Sequence, residues 1–231
     1  MISGEEYLKS GVKNLPDSIT LLEPLNLSSG WFVQYNNLTE ASREKSALNT
    51  QLIKLINARH HSAVEIMKGH DDYFIHVYDI HDSQKLIDTI EVKERDQLVK
   101  ELEWIVWKIG TFDSRIYSFE GPHDFLRLRI PEGWKVAYNK LINIDPDQLE
   151  EDSDEWFHFT SSLLLLEHKE NQLLLDVGWY VDIEPSGTFY ILLIKNQDWE
   201  NPLEDVEMRR PEELVSQIEA ILQKAAVQHF E

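Results

Sequence analysis

The sequence predicts an α+β fold: a tandem duplication of an antiparallel-sheet unit that is closed by a C-terminal helix. The first observation is an internal repeat, because residues 30–38 (GWFVQYNNL) and 133–141 (GWKVAYNKL) are identical at six of nine positions. The second is that residues 73–106 align with residues 189–222 without a gap. The third is that segments of alternating polar and apolar residues precede an amphipathic helix in each half. We therefore expect a pseudo-dimer within one chain, each repeat with its own sheet.

The alignment of the two halves also divides the chain. Its offset grows from 103 to 116 residues, so the second half holds thirteen extra residues. We place them in residues 144–155 (IDPDQLEEDSDE), which contain seven acidic residues and no basic one. The predicted domains are residues 1–110, the first repeat with an N-terminal extension, and residues 111–231, the second repeat with this acidic insertion. In the gapless stretch the identical residues of the first copy are Ile75, Asp82, Glu91, Leu98, Val99, Glu103 and Ile105.

Local patterns define the elements of the first half. Trp31, Val33 and Tyr35 alternate along the first repeat and predict one face of a strand. Pro24 confines its own segment to a sheet edge, and Gly110 supplies a stop for the helix. In chain order we predict a helix at 5–12, an edge strand at 18–26, a strand at 31–38, a helical turn within 39–50, a third element at 51–58, strands at 62–68, 72–80 and 85–93, and a helix at 94–110.

The second half follows the same order after a structured crossing segment. Because residues 111–132 do not read as a flexible linker, we expect the two repeats to be packed together. Pro211 suits the first position of the last helix. In chain order we predict strands at 115–119, 125–130, 134–141, 157–167, 172–182, 188–195 and 202–208, and a helix at 211–227.

The charge and composition exclude several classes of partner and location. The formal net charge of −20 would repel nucleic acid and anionic membranes. The acidic excess is concentrated in residues 111–231, whose net charge is −15 against −5 for residues 1–110. The chain has no cysteine and no apolar run near the roughly 20 residues that span a bilayer. Since the N-terminus lacks a signal-peptide pattern, we predict a cytoplasmic protein.

The acidic insertion has two interpretations. It is either a solvated loop or a docking surface for a basic protein, whose association opposite charge would accelerate. A calcium site is not predicted, because the insertion lacks the glycine and the spaced terminal glutamate of a calcium loop. The candidate partner-binding residues are Asp145, Asp147, Glu150, Glu151, Asp152, Asp154 and Glu155.

Two tryptophans are further candidates for partner binding. Trp104 and Trp107 project from the first helix away from its apolar stripe, and their counterparts in the second helix are Ala220 and Gln223. They either pack between the two repeats or form an exposed patch, since Trp is enriched in binding hot spots. The repeated Gly-Trp-x-Val-x-Tyr-Asn motif also has two interpretations, a ligand site or, as we favour, a strand start, two core residues and a turn.

No motif in the sequence identifies a reaction. There is no Gly-rich phosphate loop, no His-Glu-x-x-His and no Gly-x-Ser-x-Gly. His60 and His61 are adjacent and would diverge on a helix or a strand, so they make a poor metal chelate. We therefore predict a protein that is not an enzyme, with no cofactor and no catalytic or metal-binding residues.

In its acidity, size, Trp-rich strands and lack of active-site motifs, the chain resembles the immunity proteins of bacterial polymorphic toxin systems. The resemblance implies an acidic cytoplasmic α+β protein that binds and blocks a toxin domain. The predicted function is therefore neutralisation of a basic protein by a monomer or homodimer, without direct contact to nucleic acid or membrane. The alternative is a housekeeping or small-ligand-binding protein with a cleft between the repeats, and an unrecognised hydrolase ranks last.

Overall fold

The computed structural model describes residues 19–40, 49–81, 84–111, 121–122 and 125–227. The described residues form strands and helices of the predicted α+β class. The strands are β1 (Trp31–Asn36), β2 (Thr50–Asn57), β3 (Ser62–Lys68), β4 (Tyr73–Asp79), β5 (Lys85–Val92), β6 (Trp134–Asn139), β7 (Leu164–His168), β8 (Leu173–Tyr180), β9 (Thr188–Lys195) and β10 (Glu204–Met208). The helices are α1 (Arg95–Thr111) and α2 (Pro211–Val227).

All these strands belong to one antiparallel sheet, in the order β10-β9-β8-β7-β6-β1-β2-β3-β4-β5. The first strands of the two halves, β1 and β6, pair at its centre. Gly30 N donates to Val136 O at 2.7 Å, and Gly133 N donates to Val33 O at 2.9 Å. The expectation of a separate sheet in each repeat is therefore wrong, because the repeated segments join the halves edge to edge. The halves also share one hydrophobic core, and the domain division at residue 110 stays a prediction.

The repeated segments supply the largest side chains of that core. Trp31 and Trp134 are buried, as predicted. A β-bulge at Gln34 interrupts the alternation, so Tyr35 lies opposite Lys54 and leaves the face of Trp31. The prediction that Tyr35 shares that face is wrong, and β6 carries an equivalent bulge.

An asparagine ends each repeated strand in the turn role that we predicted. The Asn36 side-chain oxygen accepts from Leu38 N at 3.2 Å. The Asn139 side-chain oxygen accepts from Leu141 N at 3.0 Å. A short polar side chain of this kind satisfies a backbone donor just beyond the strand, which fixes the direction in which the chain leaves the sheet.

The segments that precede β1 and β6 cross between the halves without forming regular strands. Residues 19–21 form a 3₁₀ turn. Leu25 and Leu128 form an isolated antiparallel bridge with reciprocal backbone bonds of 3.0 and 3.1 Å. The strands predicted at 18–26 and 125–130 are therefore wrong, because their backbone groups bond to several separate parts of the chain. Glu23 N donates to Leu38 O at 2.7 Å, and Leu126 N donates to Leu141 O at 2.9 Å. The helix predicted at 5–12, most of the turn predicted within 39–50, and the strand predicted at 115–119 lie outside the described residues.

Both helices pack on the same face of the sheet and contribute to the common core. The Trp31 indole N–H and the Ser28 hydroxyl both donate to Val106 O in α1, each at 3.0 Å. The helix runs on to Thr111, so Gly110 does not end it as predicted. A Cβ atom at Gly110 would lie 2.3 Å from the Ser28 hydroxyl, which explains the glycine by close packing instead.

One buried glutamate on each helix holds a crossing segment in place. Glu103 Oε1 accepts from Asn26 N at 2.9 Å, and its Oε2 accepts from Arg127 Nη2 at 2.8 Å. Glu219 Oε1 accepts from Arg129 N at 3.0 Å, and its Oε2 accepts from Arg129 Nη1 at 3.1 Å. The carboxylates thus satisfy backbone donors that have no strand partner.

Candidate binding surface

The predicted acidic insertion is a folded segment. Asp145 caps a 3₁₀ turn at Pro146–Gln148, because its carboxylate accepts from Asp147 N at 3.0 Å. Ser153 caps a second 3₁₀ turn at Asp154–His158 in the same way. That second turn replaces the first part of the strand predicted at 157–167, and β7 begins only at Leu164. The acidic side chains are thus presented from capped turns.

An aromatic cluster fixes this segment to β8 and β9. Trp156 is buried, and its indole N–H donates to Glu150 O at 2.8 Å. Its ring lies 5.2 Å from that of Phe159, which in turn lies 4.8 Å from Trp179. The ring of Trp179 packs 4.9 Å from Phe189. These edge and tilted contacts bury large apolar side chains beneath the acidic residues.

Arg209 clamps the same region from the start of α2. Its Nε donates to Asp147 Oδ1 at 2.5 Å, and Nη1 and Nη2 donate to Gly187 O and Pro185 O at 2.5 and 2.9 Å. The guanidinium also lies 5.4 Å from the ring of Trp179. Asp147 is therefore paired with Arg209, although it is exposed like Glu150, Glu151, Asp152, Asp154 and Glu155.

The turn between β8 and β9 runs beside the acidic segment. Trp179 N donates to Thr160 O, and Ile183 N donates to Phe159 O, both at 2.8 Å. Ile183 adopts a φ of +64°, a left-handed conformation that is strained for a β-branched residue. Strained, exposed residues of this kind are typical of functional surfaces.

Apolar side chains project into solvent from both segments. Four of them are between 42% and 70% exposed: Phe157, Tyr180, Val181 and Ile183. Exposed acidic side chains adjoin them along the chain: Glu150, Glu151, Asp152, Asp154, Glu155, Asp182 and Glu184. We call these eleven residues the acidic-apolar surface. Contiguous exposed apolar groups with a polar rim mark interaction sites on soluble proteins.

The acidic-apolar surface has many carboxylates and few cationic side chains to neutralise them. The sequence contains no Lys or Arg between Lys140 and Lys169, nor between Lys169 and Lys195. Arg209 is the cation that the structure brings to the region, and Asp147 faces it. Acidic side chains therefore dominate the charge of this surface.

The two halves differ in the length of the connections that join corresponding strands. Leu55 of β2 corresponds to Leu166 of β7, an offset of 111 residues. Ile75 of β4 corresponds to Ile191 of β9, an offset of 116 residues. Aligned by the sequence repeat, eight of the thirteen extra residues precede β7 and five lie in the β8–β9 turn, whereas we predicted all of them within 144–155 from the sequence. Both parts of the acidic-apolar surface lie in these longer connections of the second half.

The two predicted tryptophans lie elsewhere. Trp104 and Trp107 stack on each other on α1 with ring centroids 5.3 Å apart, and Trp104 is exposed. Lys108 Nζ lies 5.2 Å from the Trp104 ring. Polar contacts of α1 include those to Ser28, Trp31 and Arg127, whereas the acidic segment contacts Trp179 of β8 and Arg209. The structure thus separates the two sets of candidate residues.

The sheet face without helices, in the described part of the chain, has polar groups that sequence reasoning did not single out. Asp176 lies between Leu165 and Leu192 of the neighbouring strands, and burial raises its pKa to about 6. Tyr190 donates to Ser161 O at 2.5 Å, and burial raises its pKa too. On the first half of this face, a small depression is lined by Lys54, Ile56, Ala63, Glu65, Tyr78, Ile80 and Gln84.

The exposed apolar residues were missed because alternation assigns Phe157 and Tyr180 to strand interiors. The available signal was the turn sequence Glu184-Pro-Ser-Gly187, which marks a long connection but not its exposed side chains. In the described residues, no group of three or more His, Asp or Glu side chains is arranged to hold a metal ion. Nor does any helix there have the length and apolarity to cross a membrane. No protein-family model matches the chain, and no curated protein or solved structure is significantly similar to it.

Proposed function

We propose that this chain is a duplicated binding protein that captures and neutralises a basic protein partner through the acidic-apolar surface. The observation that carries the proposal is the set of exposed apolar side chains flanked along the chain by exposed acidic residues, in two segments that contain no Lys or Arg. In such an interface the apolar centre supplies most of the affinity, and the charged rim steers the encounter. The resemblance to immunity proteins suggests a toxin domain as the partner.

Preorganisation of the surface supports this proposal. Capped turns, the Trp156 anchor and the Arg209 clamp hold both segments in place before any partner arrives. An immobilised side chain costs roughly 0.5–1.5 kcal/mol on binding, so a surface that is already ordered retains more of its contact energy. A solvated acidic loop would need no buried anchors of this kind.

Matching contacts in the two halves support the duplication. Asn36 Nδ2 donates to Ile130 O at 2.9 Å, and Asn139 Nδ2 donates to Leu27 O at 2.8 Å. The donors and the acceptors are each 103 residues apart, as the sequence repeat is. Each half thus closes the turn of its own strand onto the crossing segment of the other, which is the reciprocity of a two-fold interface. In this proposal the first copy serves as a scaffold, and the binding surface was acquired by the second copy.

The test uses matched baits to capture the partner from a lysate of the source organism. One bait neutralises Glu150, Glu151, Asp152 and Asp154 to the corresponding amides. The control neutralises Asp71, Glu94, Glu170 and Glu200, which are equally exposed and remote from the surface. A third bait is Phe157→Ala with Tyr180→Ala, which keeps the charge. Captured proteins are identified by mass spectrometry and their binding kinetics are measured at two salt concentrations.

We expect a basic protein that the wild type and the control retain and that both surface variants lose. Neutralising the rim should slow association and flatten its salt dependence. Truncating the apolar centre should instead raise the dissociation rate, by about 30-fold for a loss of 2 kcal/mol at one hot spot. Equal retention of the same protein by all four baits would refute a role for the acidic-apolar surface.

A further inference from the structure

One carboxylate on the helix-free face of the sheet has no counter-charge. Asp176 of β8 is partly buried and lies opposite Leu165 of β7 on one side and Leu192 of β9 on the other. In the part of the chain that the structure describes, its carboxylate has no hydrogen-bond or ion-pair partner. Burial between apolar neighbours disfavours the charged form of an acid, so the free protein is less stable with this group ionised.

Other partly buried acids of the sheet and the helices are paired. Glu167, on the neighbouring strand and the same face, lies 3.2 Å from Lys135 Nζ, and the buried glutamates of α1 and α2 each contact an arginine. The sequences of β8 and β10 contain no Lys or Arg. The single cation of β9 is Lys195, which lies opposite Leu173, a residue of the core. The strands around Asp176 therefore supply no cation to it.

The acidic-apolar surface adjoins this part of the helix-free face. Side chains alternate along a strand, so residues 176, 178 and 180 of β8 share one face, and Tyr180 belongs to the acidic-apolar surface. About 13 Å along the strand separates Asp176 from Tyr180, which is well within the width of a standard interface. Tyr190 lies opposite Gly178, and burial, followed by the charges of Asp176 and Asp182, raises its pKa. The two acidic groups thus act on the same hydroxyl.

We propose that the contact with the basic partner extends onto the helix-free face of β8 and β9, where a lysine or arginine side chain of the partner forms an ion pair with Asp176. The methylene groups of such a side chain can pack on Leu165, Leu192 and Tyr190, which are partly exposed, while its charged end reaches the carboxylate. Water is partly excluded there, so the attraction is stronger than at an exposed acid. This pairing rests on the proposed function, because the cation belongs to the same basic partner.

Two single substitutions separate this role from a general effect of charge. Asp176→Asn removes the charge and keeps the size of the side chain, and the free protein should be no less stable for it, so weaker binding would not reflect unfolding. Asp71→Asn is the matched control, because Asp71 is exposed in the turn between β3 and β4 and loses the same charge. Urea unfolding verifies that both variants fold.

The first measurement needs no identified partner. The probe is the peptide acetyl-Leu-Arg-Leu amide, and its control is the citrulline analogue, in which an uncharged urea group replaces the guanidinium. The carbon resonance of the Asp176 carboxyl is followed by NMR at about pH 7 as either peptide is added to the full chain, up to about 20 mM. We expect a saturating shift with the arginine peptide, with a dissociation constant on the order of millimolar, and none with the citrulline peptide. The carboxyl of Asp71 should not saturate.

Absence of a saturating shift at Asp176, or an equal shift with the citrulline peptide, would overturn the proposal. The second measurement uses a basic protein that the acidic-apolar surface captures. Asp176→Asn should raise its dissociation rate at least about 10-fold and leave its association rate nearly unchanged, whereas Asp71→Asn should change neither. If the acidic-apolar variants lost that protein while Asp176→Asn bound it like the control, the ion pair would be refuted and the proposed function would stand. If no basic protein were captured, the proposed function would fail, and the peptide titration would still decide whether Asp176 accepts a cation.

Discussion

The paired glutamates Glu103 and Glu219 allow a stability prediction whose magnitude depends on the asymmetry between the halves. In Glu103→Leu the Asn26 N–H loses its acceptor inside the protein, and an unsatisfied buried donor costs about 1–3 kcal/mol. Arg127 loses its carboxylate as well, but its side chain is 46% exposed and can return to water. We therefore expect Glu103→Leu to lower the unfolding free energy by about 2 kcal/mol.

The equivalent change in the second half should cost more. In Glu219→Leu the Arg129 N–H loses its acceptor, and the Arg129 guanidinium, only 23% exposed, loses a partner within the same site. Removing one member of a buried pair costs about 3–5 kcal/mol, and Arg129 keeps Glu40 and Leu22 O, so we expect about 3 kcal/mol. The glutamine variants retain an acceptor for the backbone donor and should lose only about 1 kcal/mol each.

Urea unfolding followed by tryptophan fluorescence measures the four variants. The midpoints should fall in the order wild type, glutamine variants, Glu103→Leu and Glu219→Leu, with an unchanged denaturant slope. If the leucine and glutamine variants of either site were equally stable, the backbone N–H bond would not be the main contribution. If Glu103→Leu were the less stable of the two leucine variants, the argument from arginine exposure would be refuted.

Three further predictions concern a titrating group, a glycine and a clamp. Because burial raises the pKa of Asp176 to about 6 from 3.8, the folded state prefers the protonated acid, and wild-type stability falls as pH rises through this window. The unfolding free energy of Asp176→Asn should therefore exceed that of the wild type by up to about 1–2 kcal/mol above pH 6 and equal it below pH 4. This figure is already reduced for solvent screening of a partly exposed group, and urea unfolding measures it. Gly133→Ala should lose about 1–3 kcal/mol in thermal unfolding, because the residue has a φ of +90° and its Cβ atom would lie 2.6 Å from His168 Nε2. Arg209→Met should accelerate deuterium exchange across the acidic segment that Asp147 anchors while β3 and β4 stay protected, and unchanged exchange would mean that the clamp is dispensable.

The sequence predicted the strands of the sheet well because most of them bury one face and expose the other. Ile66 and Ile75 are buried, whereas both chain neighbours of each are partly exposed, so the alternation of burial along the strand is visible in the sequence. The crossing segments failed as strand predictions because Leu25 and Leu128 are buried by contact with each other and with the helices. These residues are apolar because they are buried, and burial alone does not distinguish a strand from an irregular segment.

The candidate site was predicted only in its acidic part. A run of carboxylates is visible in any sequence, whereas the exposure of Phe157 and Tyr180 depends on how two turns meet in space. The bulge that turns Tyr35 away from Trp31 is invisible for a related reason, since one extra residue in a strand leaves composition and periodicity almost unchanged. The division of the extra residues between the connection before β7 and the β8–β9 turn depends on strand register, which only the pairing itself reveals.

Salt dependence tests the association with a basic partner that we propose for this chain. A basic partner is drawn to the acidic-apolar surface by opposite charge, so added salt screens an attraction and weakens that complex. Between about 0.05 and about 0.5 M salt, where the Debye length falls from about 14 to about 4 Å, the dissociation constant of the complex should therefore rise. A complex whose dissociation constant did not change over this range would have its contact outside the charged rim of the acidic-apolar surface.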